Sequence, residues 1–271
     1  MPPKSFKLVI ISDVHKGDDK VQDGRLQKLP SRALSYLRYL VNRINTEIQP
    51  DFVMQLGNLI EAEDAESDEE NYDTALGVFR QISVPVYHAV GSHEQENLSL
   101  KQISSMLKYS KLYYSFDSGP FHFVVLFARS QKNEGIHIDE AQRKWLEQDL
   151  ISSHRPTLVF VHHPIDEQDL SGNFWFEQNP EQCFVSERAE IRAILARSGN
   201  VLAVFSGHVH RNNLESHDNI YYVTIQSLVE NMSKTGKTAS ESFAIVTLKQ
   251  DEICVEVEGV DPAEYRLSAQ H

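Results

Sequence analysis

The sequence predicts an α/β fold with strands and helices in alternation. Three observations carry that expectation. Short apolar runs of strand length recur along the 271 residues and end on glycine or a polar residue. The segment after the first of them repeats apolar residues every three or four positions, as a helix does. Neither an internal repeat nor a cysteine framework points to another class.

The elements follow in order. Phe6 to Ile11 reads as a buried strand that ends at Ser12-Asp13. Residues 31–48 read as a helix, because Ala33, Leu34, Leu37, Leu40, Val41, Ile44 and Ile48 share one stripe. Pro30 stands at its start and Pro50 just past its end, as boundary signals should. Asp51 to Leu56 is a strand, 71–83 a helix, and Val84 to Val90 extended. Leu112 to Phe116 and Phe121 to Phe127 form a hairpin across Asp117-Ser118-Gly119-Pro120. Asp139 caps a helix with Gln142 at the capping-box position, which buries Ala141, Trp145, Leu146 and Leu150. Thr157 to Val161 is a strand, about 186–198 a helix, and Val201 to Phe205 a strand. Tyr221 to Ile225, Phe243 to Leu248 and Ile253 to Val257 complete the strands. With no long linker, 1–271 is expected to be one domain. The run 61–70 holds seven acidic side chains in ten and is expected to be a solvated loop.

Composition narrows the function. Hydrophobic residues make up 41% of the chain, enough for a sizeable core, and ten Pro and twelve Gly exclude collagen-like or low-complexity readings. A formal charge of −13 argues against a nucleic-acid binder, since phosphate backbones demand Lys and Arg. It leaves room for a small phosphorylated substrate, because a bound cation overturns the local field. Cys183 and Cys254 form no zinc or disulfide pattern, and a reducing compartment is the simplest reading. The apolar run Leu8 to Ile11 is too short for a signal peptide or membrane helix, so the expectation is a soluble, cytoplasmic protein with no membrane partner.

The chemistry sits at the strand ends. After successive apolar runs come Asp13-Val14-His15, Gly57-Asn58, Gly91-Ser92-His93-Glu94, His162-His163-Pro164 and Gly207-His208-Val209-His210. In layered α/β folds the carboxyl ends of strands converge on one edge, where sites form. Imidazoles with a carboxylate suit transition-metal ions. Asp13 and His15, two apart on an extended chain, would point the same way, as would His208 and His210. These two pairs supply most of one metal site, and His162 with His208 would hold a second ion. Two such ions clamp the attacking and leaving oxygens of phosphoester hydrolysis. His88, His122, His137, His154, His217 and His271 fit no such place and are expected to be structural or surface residues. His163 is expected to support a ligand from behind.

This ordered set resembles the calcineurin-like metallophosphoesterase family, whose motifs run D-x-H, G-D-x-x-D, G-N-H-D or G-N-H-E, H-x-P and G-H-x-H. The motifs span residues 13–210. The stretch Tyr113-Tyr114-Ser115-Phe116 with Gly119-Pro120-Phe121-His122-Phe123 is similar to the branch of class III cyclic-nucleotide phosphodiesterases and glycerophosphodiesterases. The resemblance implies a four-layer α/β/β/α sandwich. It implies that Asp13, His15 and His210 hold one divalent ion, and His162 and His208 the other. It places His93 near the substrate, as proton donor to the leaving oxygen or clamp on the phosphate, and gives Asp13 a part in orienting the nucleophilic water. Arg211, Asn212 and Asn213, just after the last motif, are candidates for substrate contact.

Two positions depart from the pattern. The family's bridging aspartate is Asn58 here, and its asparagine ligand is Ser92. An amide offers one neutral oxygen where a carboxylate offers two anionic ones, and its NH₂ does not coordinate. Glu61, at the motif's last aspartate, is expected behind the ligands. Two readings follow: hydrolysis of a phosphodiester or nucleotide-like diphosphate with one or two Mn, Fe or Zn ions, or a metal- or ligand-binding protein that keeps the fold without turnover.

Overall fold

The computed structural model describes residues 5–131, 134–233 and 236–269. In chain order the elements are β1 (Phe6–Ile11), α1 (Ala33–Arg43), β2 (Phe52–Gln55), α2 (Ala65–Phe79), β3 (Val86–His88), α3 (Glu94–Asn97) and α4 (Leu100–Leu107). There follow β4 (Tyr114–Ser118), β5 (Phe121–Val125), β6 (Arg129–Gln131), β7 (Gly135–His137), α5 (Glu140–Ser152), β8 (Thr157–Phe160) and α6 (Arg188–Ser198). The last are β9 (Val201–Ser206), β10 (Asn213–His217), β11 (Ile220–Thr224), β12 (Phe243–Leu248), β13 (Glu252–Glu258) and β14 (Ala263–Ser268).

Two six-stranded sheets form, in the orders β14-β13-β12-β1-β2-β3 and β10-β11-β9-β8-β5-β4. Strand alternation decides how they stack, since successive side chains leave opposite faces. On β1, Leu8 and Ile10 join Phe52, Met54, Phe123, Phe160 and Phe205 in a core between the sheets. Val9 and Ile11 face the other way, onto Leu37, Leu40, Ile44, Tyr72 and Phe79 of the helical layer. On β8, Leu158 and Phe160 face the inter-sheet core, while Val159 packs under Leu146, Leu150, Ile191 and Leu195. The result is the four-layer α/β/β/α sandwich. Each fully buried Phe or Leu contributes about 1.5–3 kcal/mol of transfer free energy.

Most of the expected elements are present. The helix expected over 31–48 is a 3-10 turn at Pro30–Arg32, then α1, then a π turn over Ile44–Ile48 that ends on left-handed Gln49 (φ 48). The acidic run departs from expectation, because α2 begins inside it at Ala65 rather than at 71. Asp64 caps that helix by accepting from the N–H groups of Glu66 and Ser67, and Glu66 and Asp68 fall in the first turn. Negative charge there meets the positive end of the helix dipole, so the charges that suggested a loop stabilise a helix start. Ala141 is exposed, against expectation. Asp139 does cap α5, but the Gln142 side chain turns inward to bridge Phe127 N and O at 2.8 and 2.7 Å. The capping box that does form joins Ser99 and Gln102 at the start of α4. His271 lies outside the described residues.

Candidate active site

At the sheet centres β1 runs parallel to β2 and β8 parallel to β9, and the carboxyl ends of these strands meet at one edge. Asp13, His15, Asn58, His162, His208 and His210 are all buried there. The connecting loops approach too closely for larger residues. A Cβ on Gly207 would stand 1.9 Å from Ser12 Oγ and 2.5 Å from Asp13 Oδ2, and one on Gly57 would stand 2.7 Å from His162 Nδ1. The glycines of these motifs are therefore required by packing as well as by the turn.

The backbone differs from the expected extended pairs. Asp13 (φ 52), His15 (φ 47), Asn58 (φ 50), His208 (φ 68) and His210 (φ 57) are all left-handed. Each costs on the order of 1–2 kcal/mol for a residue with a Cβ. Cross-loop bonds offset the cost: Asp13 N to Gly57 O at 3.2 Å, His15 N to Asn58 O at 3.0 Å, and Lys16 N to Leu59 O at 2.9 Å. Ser227 Oγ donates to Asp13 O at 2.8 Å. Glu94, 1% exposed, accepts from Asn58 N at 3.2 Å, Gly91 N at 2.9 Å and Leu59 N. Burial pushes the Glu94 carboxyl up to about 7, against the pull of those N–H groups.

The side chains converge on Asp13. Its Oδ1 lies 3.5 Å from His15 Nε2, 3.4 Å from His210 Nε2 and 4.0 Å from His162 Nε2. Its Oδ2 accepts from Ser12 Oγ at 2.5 Å and from His208 N at 2.9 Å. Although burial opposes ionisation, the surrounding imidazoles hold the Asp13 carboxyl well below the usual range. His210 Nδ1 is 2.6 Å from Glu230 Oε2, and His15 Nδ1 is 2.9 Å from Glu61 Oε2, close but off the hydrogen-bond line. Carboxylates at both Nδ1 atoms favour protons there and turn the Nε2 atoms toward the site, where a bound cation would displace any proton they carry. Those two Nε2 atoms face each other at 3.0 Å. Glu61 is itself held by Lys28 Nζ at 2.6 Å, and despite its burial His15 and Lys28 keep it well below the usual carboxylate range. For His210 burial favours the neutral ring, but Asp13 and Glu230 outweigh it and raise the group to about 9.

The second cluster joins His162, His163 and His208. His162 Nδ1 donates to Leu56 O at 2.8 Å, which leaves Nε2 buried without a partner. His208 Nε2 donates to Gln182 O at 2.9 Å. His163 was expected behind the ligands, yet its two ring nitrogens are both buried and unpartnered and it stands within the cluster. Burial pushes His162 down to about 4 and His208 to about 3, so these rings are neutral and present lone pairs. A buried carboxylate ringed by imidazole Nε2 atoms, together with unpartnered buried imidazole nitrogens, fits divalent cations, which would take the place of the shared protons.

Asn58 takes a specific pose. Its Nδ2 donates to Asp13 Oδ1 at 3.0 Å, and its Oδ1 accepts from His93 N at 3.0 Å with Ser92 Oγ 3.5 Å away. His93 stacks edge-on against His15 at 4.6 Å. Ala62 N donates to His93 Nδ1 at 3.2 Å, which places the ring proton on Nε2. Arg211 lines a cavity beside His210, its guanidinium donating to Asp169 O and, at 3.3 Å, to Ser171 O. Asn212 instead ties Gln226 N to Asp261 O, and Asn213 starts β10, so neither reaches that cavity. Sequence reasoning missed Lys28, Glu94 and Glu230. Only Glu94 carried a signal, as the last residue of Gly91-Ser92-His93-Glu94.

Two sheets and a histidine-rich edge of this kind define a metallophosphoesterase-type protein. The family model of calcineurin-like phosphoesterases matches residues 6–212, and the chain belongs to that family. It is a phosphoesterase by that membership. It is similar to a probable cyclic nucleotide phosphodiesterase of Fibrobacter succinogenes, 26% identical over 83% of this chain and 80% of that one. A 3',5'-cyclic-nucleotide phosphodiesterase of Nostoc is 23% identical over 80% of this chain and 76% of that one. A dimetal phosphatase from Danio rerio shares the fold, with TM-score 0.79 and 20% identity over 98% and 99% of the two chains. Among the described residues no helix is long and apolar enough to cross a membrane.

Proposed function

We propose that the chain, residues 1–271 acting as one domain, hydrolyses a phosphodiester or nucleotide-like diphosphate with the help of one or two divalent ions. The observation that carries this reading is the pair of adjacent imidazole clusters, one built on Asp13, in which His162, His208 and His210 are each held from behind by a carboxylate or a carbonyl. Asp13, His15 and His210 would hold one ion, and His162 and His208 the other, with His163 at hand and Ser92 at the margin. Mn, Fe or Zn bound there would supply an activated water and charge to hold the phosphate oxygens.

The chain's own groups do the rest. Asp13 gathers the imidazoles and accepts from His208 N, which fixes both motif loops. His93, neutral with its proton on Nε2, hydrogen-bonds through that N–H to the oxygen that leaves phosphorus and steadies its developing charge. Asn58 carries no charge between the clusters; it braces Asp13 and His93 N by hydrogen bonds. Arg211 lies in the adjacent cavity, where it favours an anionic substrate. The names of the Fibrobacter and Nostoc relatives support a cyclic nucleotide or another phosphodiester as substrate. The test is hydrolysis of a chromogenic phosphodiester by stripped protein and by protein reloaded with Mn, Fe or Zn. Turnover that appears only on reloading is the expected result. No turnover with any of these ions, by the chain or with its relatives' substrates, would reject the proposal in favour of a binding protein.

A further inference from the structure

Three consecutive aromatic residues, Phe174, Trp175 and Phe176, sit on the segment between β8 and α6. Neither Phe174 nor Trp175 belongs to a hydrophobic core cluster. Both are only partly buried, so core packing does not account for them. Instead the segment is fastened to the metal-site loop. Asn173 Nδ2 donates to Val209 O at 2.9 Å, and its Oδ1 accepts from Trp175 N and Phe176 N at 2.9 and 3.0 Å. The Trp175 ring lies 5.6 Å from His210, and Phe176 lies 4.6 Å from His208. Lys28 Nζ stands 4.9 Å over Trp175 while also binding Glu61 behind His15. The Arg25 guanidinium stands 5.8 Å over Phe174.

A cavity of about 960 Å³ opens beside His210, with Phe174 and Trp175 on one side and Arg25, Gln226 and Lys237 elsewhere on its wall. That is ample for one small-molecule moiety. Two buried polar atoms of its lining have no partner: the donor Trp175 Nε1 and the acceptor Gln226 Oε1, the latter on a residue 3% exposed. Each such atom costs free energy unless a ligand or water satisfies it. Aromatic faces, a buried donor, a buried acceptor and cationic side chains together match one kind of guest.

We propose that this cavity binds the alcohol half of the substrate, and that the group it takes is a planar heteroaromatic ring of the nucleobase type. The ring stacks on Trp175, with Phe174 standing edge-on to that indole at 4.9 Å; its donor edge engages Gln226 Oε1, and Trp175 Nε1, in the indole plane, is left to a ribose or phosphate oxygen. Arg25 and Lys237 favour the attached phosphate in a chain that is otherwise strongly acidic. An aliphatic alcohol such as glycerol would leave the ring faces unused. This inference rests on the phosphoesterase reading for its substrate, while binding itself is measured without turnover.

The sequence holds only two tryptophans, and Trp145 lies on α5, packed against Tyr113. Trp145→Phe therefore makes Trp175 the sole indole reporter. Titrating the Zn-loaded variant with adenosine 5′-monophosphate should quench its fluorescence saturably, and glycerol 3-phosphate at the same concentration should not. On the kinetic side, Trp175→Leu should raise KM for a nucleoside phosphodiester on the order of tenfold, in line with base–aromatic stacking. KM for a methyl or glycerol phosphodiester should hold, and Trp175→Phe should restore most of the loss. Equal quenching by both ligands, no quenching, or equal kinetic effects on both esters would overturn the subsite. Saturable, ring-selective quenching in a protein with no turnover would keep the subsite and reject hydrolysis instead.

Discussion

Asn58→Asp puts the family's carboxylate back between the two clusters, and the structure sets its consequence. Asn58 is 1% exposed, and its Nδ2 donates to Asp13 Oδ1 at 3.0 Å. The substitution replaces that donor by a carboxylate oxygen. At the 3.0 Å separation of this pair and an effective dielectric of 20, two unit charges repel by about 5.5 kcal/mol, a ceiling that proton uptake relieves. Losing the charge-assisted hydrogen bond adds about 1.5–3 kcal/mol. In stripped protein the variant should therefore be less stable by several kcal/mol, or roughly 10 °C in Tm for a chain of this size. A divalent ion reverses the order, because both carboxylates then face a cation. At a concentration 100 times Kd an ion adds about 2.7 kcal/mol, and tighter binding to the aspartate variant makes its gain the larger one. The assay is thermal unfolding of both proteins, stripped and reloaded, alongside hydrolysis of a chromogenic phosphodiester. Equal stability of the stripped proteins and equal gains with ion would refute the placement of Asn58 between two ion sites.

Other outcomes follow from the same structure. His163→Phe removes two unpartnered buried nitrogens, so stripped protein should keep or gain stability, while the rise in Tm on adding Zn shrinks; an unchanged rise would separate His163 from the ions. Glu94→Ala leaves the N–H groups of Asn58, Leu59 and Gly91 unpaired and should cost about 3 kcal/mol or more in urea unfolding; a loss below about 1 kcal/mol would show that water replaces the clamp. His122 lies between Asp149 and Asp117, at 2.9 and 2.7 Å. Hydrogen bonding to Asp149 raises its pKa against the effect of burial, with Asp117 adding to the rise. Its contribution to stability is therefore full below about 6.5, the value in the unfolded chain, and is lost as pH rises through the higher folded value. His122→Gln should flatten stability against pH in that window, and an unchanged slope would rule the pair out as its source.

The sequence alone determined the local parts of this protein. Short continuous apolar runs mark β1, β2, β8 and β9, and the polar residues at their ends lie at one sheet edge as the α/β rule requires. Motif order identified the family before any distance was known, and the family match covers the same span. Other features became visible only in three dimensions. β10 is an edge strand with exposed residues and little apolar pattern, and it forms by pairing with β11. The acidic run is a different case: the Asp64 cap and the charges that suit the helix dipole are local signals, masked in the sequence by the density of like charge. The left-handed backbone at Asp13, His15, Asn58, His208 and His210 is imposed by loops crossing between strands. Which imidazole nitrogen faces the site is decided by Glu61, Glu230, Leu56 O and Gln182 O, partners far away in the chain. Period and capping are properties of neighbouring residues, so a sequence displays them. Tautomer, close approach and the aromatic wall beside His210 depend on contacts between distant segments, which only the folded sheets create.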